Sequence, residues 1–233
     1  INHDWKGIMN KDIPGEVFFL RARIKKFMKY IFNNKSDKIL DIGCGENPFY
    51  KNVVKGKIYG FDITPSKFTH ILGTADNLPF KPKSFDKVIL ANSLYYFKNP
   101  FKVIDNLHKI LKKGGILFIS LPFFYPIHDM PEDRYRFTEF GLRTLLEDHG
   151  FEIKKIESIG GFFTIPSVIL HSLIKGLPLI SPSGIKLPIK IASYILFYIP
   201  YLLSQIIGLI DVIDKTRRWT TYYITIAVKK WYI

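Results

Sequence analysis

The run Lys38-Ile39-Leu40 leads straight into Asp41-Ile42-Gly43-Cys44-Gly45-Glu46-Asn47, an acid followed by two glycines spaced one apart. Glycine lets a backbone turn sharply and come close to a ligand. A helix following such a loop would present free N–H groups and a positive dipole end to that ligand. The chemistry this serves is recognition of a nucleoside-bearing cofactor. A second acid, Asp62, ends the short run Ile58-Tyr59-Gly60-Phe61. A carboxylate at that place accepts hydrogen bonds from ribose hydroxyls in doubly wound nucleotide sites. A third, Asp76, lies within Gly73-Thr74-Ala75-Asp76-Asn77-Leu78-Pro79-Phe80. A dinucleotide fingerprint requires a further glycine, and Pro48 stands in its place.

A different chemistry is gathered in the segment from Pro122 to Thr138, dense in aromatic and ionisable residues. His128 could act as a general base on a hydroxyl, because an imidazole with an ordinary pKa accepts a proton at neutral pH. Asp133 could orient that imidazole or bind the acceptor. Arg136 could hold a phosphate or carboxylate. The competing reading is structural: His128 and Asp133 cap turns while Tyr135 and Arg136 lock the loop. The remaining histidines, His3, His70, His108, His149 and His171, have no metal-ligand spacing, so no metal site is expected.

Two further motifs follow in order, Phe85-Asp86-Lys87-Val88 and Leu111-Lys112-Lys113-Gly114-Gly115. Together the five resemble the UbiE-like (type 11) branch of the class I S-adenosylmethionine (SAM) methyltransferases, over about residues 36 to 122. The resemblance implies a doubly wound, seven-stranded Rossmann-like α/β sheet with SAM as cofactor. It implies that Asp62 holds the ribose and Asp76 the adenine amino group, while Gly43 and Gly45 line the methionine end. Asp41, Cys44, Asn47, Ile63, Asn77, Leu78 and Asn92 complete the cofactor set it suggests. Two departures stand out. Asn47 replaces a family glycine, at a residue type that tolerates positive φ. Leu94-Tyr95-Tyr96 stands where many relatives carry Glu-His. The loop around His128 is similar to one in methyltransferases from envelope and surface-polysaccharide gene clusters.

Elements must position these groups. Apolar spacing predicts an opening helix over 15–33, with Phe18, Phe19, Ala22, Phe27, Tyr30 and Ile31 as its apolar positions and Arg21 and Arg23 near a cofactor carboxylate or simply exposed. Strands are expected to end at Asp41 and Asp62, with a short one before Asp76 and others at 86–91, 116–120, 151–158 and 220–228. A short helix is expected to begin in 47–54. Another should start at Asn99-Pro100, run to Leu111 with Phe101, Ile104, Leu107 and Ile110 inward, and stop at Gly114-Gly115. Thr138 should cap a helix ending at Gly150.

The chain has 233 residues, a formal charge of +14, 47% hydrophobic and 15% aromatic residues, and one cysteine. A lone Cys44 forms no disulfide within the chain and suits a reducing compartment; a small residue filling a tight loop is the simple reading of it. No charged-then-apolar secretory pattern opens the sequence. A cytoplasmic location, peripheral at the inner face of a membrane, is the expectation. The basic residues are scattered, which fits solvated faces or an anionic membrane surface. Nucleic acid is not the expected partner, because no Pro-Pro-aromatic turn of amine methyltransferases follows Asn92 and no separate RNA-binding module is visible.

The expected organisation is a helical cap over 1–35, a SAM-binding core over 36–159 and 219–233, and a hydrophobic helical insertion over 160–218. In the insertion, Ile191 to Ile210 carries no charge and is long enough to cross a bilayer. Tyr194, Tyr198, Tyr201, Gln205 and Gly208 form a helical stripe in it, and Pro200 would kink it. The alternatives are an interfacial hairpin flanked by Lys186, Lys190, Lys215, Arg217 and Arg218, a lid over a long-chain substrate, a homodimer interface, or a two-helix membrane hairpin. The function expected is methyl transfer from SAM to a small or lipid-linked acceptor. The alternative is a degenerate methyltransferase fold serving as a binding or scaffold protein at a membrane.

Overall fold

The computed structural model describes residues 18–213 and 218–230. The predicted start of the opening helix at Gly15, the side chains of Phe18 and Phe19, and the flanking Lys215 and Arg217 lie outside the described residues. Seven strands form one sheet: β1 (Lys38–Ile42), β2 (Lys57–Asp62), β3 (Ile71–Leu72), β4 (Phe85–Ala91), β5 (Leu111–Pro122), β6 (Phe151–Ile159) and β7 (Tyr222–Lys229). Their order is β3-β2-β1-β4-β5-β7-β6. The chain begins in the middle, winds outward through β2 and β3, and returns to β4, all in parallel pairings through β5. Reversal of winding opens a crevice at the carboxyl ends of β1 and β4, where such sheets bind ligands.

The central strands read as continuous apolar runs because both faces are covered. Leu40, Ile42, Val88, Leu90, Leu117 and Ile119 are all fully buried. The motif residues outside the crevice are fasteners. Phe85 is in the core. Asp86 accepts from the Lys38 N–H at 2.8 Å and from Lys112 Nζ at 2.7 Å, tying β4 to β1 and β5.

Contacts divide the chain into two compact units, each with its own packing. Among the described residues, one comprises 23–123, 129–157 and 223–230, and holds the sheet core; the other comprises 18–22, 124–128, 158–213 and 218–222. In the second lie α4 (Ile165–Ile180) and α5 (Lys186–Ile207), the helical insertion before the last strand.

Several elements differ from their sequence expectations. In α1 (Phe18–Ile31) the buried positions are Leu20, Ile24, Met28 and Ile31, a strict i, i+4, i+8, i+11 stripe, while Tyr30 is 80% exposed. No helix forms over 47–54. Hydrogen-bonded turns stand there instead, with Lys51 N–H donating to the Pro48 carbonyl and Val53 N–H to that of Tyr50. The anion-binding helix start inferred for the glycine loop is therefore absent. In α2 (Pro100–Ile110), Asn99 caps the helix by accepting from Lys102 N–H at 3.0 Å. Val103 takes the inward place expected for Phe101, which is 53% exposed. Gly114-Gly115 does not stop α2. The helix ends at Ile110 and β5 begins at Leu111, with Gly114 at φ +68 making an irregularity opposite Phe85 and Lys87. A Cβ on Gly115 would sit 2.9 Å from the Lys112 carbonyl oxygen, so the strand needs glycine to bulge there. In α3 (Glu139–Glu147), Thr138 Oγ1 accepts from Gly141 N–H at 3.0 Å, as a capping threonine should.

Candidate cofactor site

The glycine loop is held from three sides. Gly43 has φ +72, and a Cβ there would lie 2.5 Å from Ser93 Cβ, so only glycine lets β1 and the turn after β4 touch. Ser93 Oγ donates to the Ile42 carbonyl at 2.8 Å. Gly45 has φ +61, and a Cβ on it would meet nothing within 4 Å, which leaves the loop open on that side. Asp62 fastens the loop to β2: Oδ2 accepts from Gly45 N–H at 2.9 Å and Oδ1 from Thr64 N–H at 2.9 Å. Each carboxylate oxygen keeps a free lone pair, enough for a pair of ribose hydroxyls.

Asp41 is sealed, not presented. It is 2% exposed, and the Tyr50 hydroxyl sits 2.8 Å from both its oxygens. Burial pushes its pKa up to about 7, against the opposing effect of the Tyr50 hydrogen bond and with added repulsion from Asp62. Cys44 is also buried, its Sγ 3.7 Å from the Phe68 carbonyl and from Thr69 Oγ1, and burial raises its thiol pKa to about 11. That is a neutral packing thiol whose backbone alone faces the loop.

Asp76 is half-buried at the turn closed by Asn77 N–H on the Thr74 carbonyl. Asn106 of α2 braces this turn, donating to the carbonyls of Ala75 and Asp76 at 3.2 and 3.0 Å. Leu78 packs on the core beneath it. Ile63, next to Asp62, is 74% exposed, an apolar surface with no protein covering it. Asn92 has φ +58 and its N–H donates to the Ser120 carbonyl at 2.8 Å. Asn47, expected to use positive φ, does not; its side chain accepts from Lys51 Nζ at 3.2 Å. Arg23 is paired with Glu157 at 2.7 Å.

This set fits SAM. An open glycine loop, an acid with unused lone pairs at the end of β2 and a braced turn at Asp76 have the arrangement that the resemblance expects of a SAM site. A methyltransferase-domain family model matches residues 17–156. The chain belongs to the methyltransferase-domain family. SAM is the cofactor of this domain. The chain is 27% identical over 111 residues to a protein named demethylmenaquinone methyltransferase from Chlorobaculum parvum, covering 42% of this chain and 46% of that one. It is 30% identical over 90 residues to the mouse (Mus musculus) protein named arginine-hydroxylase NDUFAF5, mitochondrial, covering 33% and 26%. The chain thus spans about half or less of the length of these curated relatives. A solved SAM-dependent methyltransferase from Archaeoglobus fulgidus shares its fold with a TM-score of 0.58 at 18% identity, covering 97% of this chain and all of that one.

The second group of candidates is built around Arg136. Its guanidinium donates to both Asp133 oxygens, with Nη2 to Oδ2 at 2.7 Å, and lies over the Tyr95 ring at 5.7 Å. Asp133 thus forms an ion pair with Arg136 within the loop. Tyr96 donates to Asp129, and Tyr95 to Tyr96 at 3.2 Å. Burial, then the neighbouring Asp129, pushes the Tyr96 phenol well above its ordinary pKa. His128 belongs to the other compact unit. Its Nδ1 faces the Pro126 carbonyl at 3.0 Å, and its ring packs against Tyr125. A carbonyl can only accept, so Nδ1 is the ring nitrogen that carries the proton in this contact. Tyr50, Ser93, Asn106, Tyr96 and Asp129 were not legible as site residues. Each acts through a partner far along the chain, which no local spacing announces.

Proposed function

We propose that the protein transfers a methyl group from SAM to a small or lipid-linked acceptor, and that it works at the inner, cytoplasmic face of a membrane. The observation that carries the first part is the double use of Asp62, which organises the glycine loop and keeps lone pairs for a ribose. Bound SAM supplies an electrophilic methyl on a sulfonium. Transfer needs in-line placement of the acceptor, and positioning supplies much of the rate. The chain's residues then have these roles. Gly43 and Gly45 admit the methionine end; Asp62 and Asp76 hold the nucleoside. Where the acceptor is a hydroxyl, His128 is the base we assign to take its proton as the oxygen–methyl bond forms. The Asp133–Arg136 pair shapes the loop and offers a cation to an acidic acceptor. A greasy acceptor, such as a glycolipid, a polyprenyl-linked sugar or a quinone-like compound, agrees with the apolar insertion and with the relatives' names.

One observation favours a second reading, a binding or scaffold protein that keeps the fold. Tyr95 and Tyr96 replace the family's Glu-His, and a relative carries the name of a hydroxylase. Calorimetry with SAM and with NAD, followed by product assays on membrane extracts, separates the two. SAM binding with S-adenosylhomocysteine release supports the enzyme. SAM binding without turnover on any extract supports the scaffold. Preference for NAD would sink both.

A further inference from the structure

The exposed face of the α4–α5 hairpin is apolar, and its buried residues mix Ile165, Val168 and Ile174 with hydroxyl, amide and imidazole groups. Ser167 and Ser204 hydroxyls meet at 2.9 Å between the helices, both buried. Gly208 lies so close to the start of α4 that a Cβ on it would be 3.0 Å from Thr164 Oγ1. The His171 and Tyr201 rings are 5.7 Å apart, and Gln205 is buried on the same face of α5. Outward stand Ile191, Ile195, Leu196, Ile199, Leu203 and Ile206, all exposed. No charged residue falls between Ile191 and Ile210. Only 22% of the most apolar window of this helical stretch is buried, whereas a core helix of that composition would be mostly covered.

A helix packed in water does the reverse, turning its apolar stripe inward and its charges outward. Helices packed in lipid pair through small and hydroxyl-bearing residues and leave aliphatic side chains to the acyl chains. Two further features choose a bilayer over a second copy of the chain. Cations bracket the apolar stretch, Lys186 and Lys190 before it and Arg218 after it, followed by the half-exposed Trp219, as at a membrane interface. Protein interfaces draw on aromatic and arginine anchors, whereas the outer face of α5 is mainly Ile and Leu, with Tyr198 42% exposed among them.

We propose that the exposed face of α5 is seated in the acyl chains of an anionic bilayer, the hairpin entering and leaving from one side. β6 and β7 are neighbours of one sheet through β7-β6 pairing, so the chain must return to the side it left. Helix α4, at ~24 Å for its 16 residues, is shorter than the ~30 Å hydrocarbon core, which suits insertion into one leaflet with Lys186 and Lys190 snorkelling. The proposal deepens the membrane part of the reading above and is independent of methyl transfer.

The test is flotation of the full chain with phosphatidylcholine–phosphatidylglycerol vesicles, at low salt and at about 1 M salt, where the Debye length is ~3 Å. The intact protein should float in both. Ile199→Asp with Leu203→Asp, both on the exposed face, should not float, with SAM affinity unchanged. In case that variant misfolds, acyl-chain carbene labelling of the intact protein should mark peptides within 191–210. No flotation, flotation lost at high salt, no label in that stretch, or a stable dimer that the same substitutions dissociate would each overturn the proposal. Failure of the intact protein to bind SAM while it still floats would sink only the methyltransferase reading.

Discussion

At the scale of single residues, the cofactor site rests on one acid that does two things and another that is hidden. Asp62→Ala removes a charged acceptor serving Gly45 N–H, Thr64 N–H and the ribose. Such hydrogen bonds are worth about 1.5–3 kcal/mol each, so SAM affinity should fall about ten- to a hundredfold by calorimetry. An unchanged affinity would remove Asp62 from the ribose. Asp41 makes a pH prediction. Its folded pKa of about 7 lies above its ordinary 3.8, because burial penalises the charged form. The folded protein thus holds this proton more firmly than the unfolded chain does. The resulting stability is full below about pH 4 and is lost as pH rises to about 7. Urea unfolding across that window should show this decline in the native protein and its absence in Asp41→Asn. Equal slopes would place the titration elsewhere. The acid was visible in the sequence by position, but its burial beneath Tyr50 was not, since that contact depends on how residues 47–54 fold.

At the scale of elements, the legible features were those with local causes. Asn99-Pro100 starts α2 and Thr138 starts α3, because a cap and its N–H partners lie within one turn. The misread features had distant causes. Gly114-Gly115 resembles a helix stop, yet β4 draws the chain into a strand at Leu111 and uses the glycines for a bulge. Pro48 and the turns around it replace an expected helix. Gly60 in β2 shows how tightly one element constrains the next: a Cβ there would lie 1.9 Å from the Phe68 carbonyl oxygen. Gly60→Ala should cost about 1–3 kcal/mol in thermal unfolding. A cost near zero would mean that the 64–70 segment moves aside freely. Asp211 joins the two ends of the insertion, accepting from Gly161 N–H at 2.6 Å, Phe163 N–H at 2.8 Å and the Thr164 hydroxyl. Asp211→Ala should make α4 and α5 exchange amide hydrogens faster while the sheet core keeps its protection. Uniform exchange throughout would deny the clamp.

At the scale of the whole molecule, the insertion interrupts a sheet that does not need it for pairing, because β6 and β7 are adjacent. Replacing residues 161–216 by a short Gly-Ser turn should leave SAM binding intact and abolish flotation with anionic vesicles. Loss of SAM binding would make the insertion part of the cofactor site. The amino-acid sequence by itself determined the family, the cofactor class, the strand-end acids and the existence of a long apolar segment. Those are carried by local order and composition, which survive without coordinates. Tertiary structure decided that Asp133 holds Arg136, that Asp41 is sealed by Tyr50, and that the insertion buries its hydroxyl and amide groups while it exposes an apolar face. The first two depend on how irregular loops fold, and the third on contacts such as Ser167 with Ser204, 37 positions apart; spacing along a single strand or helix carries no record of either.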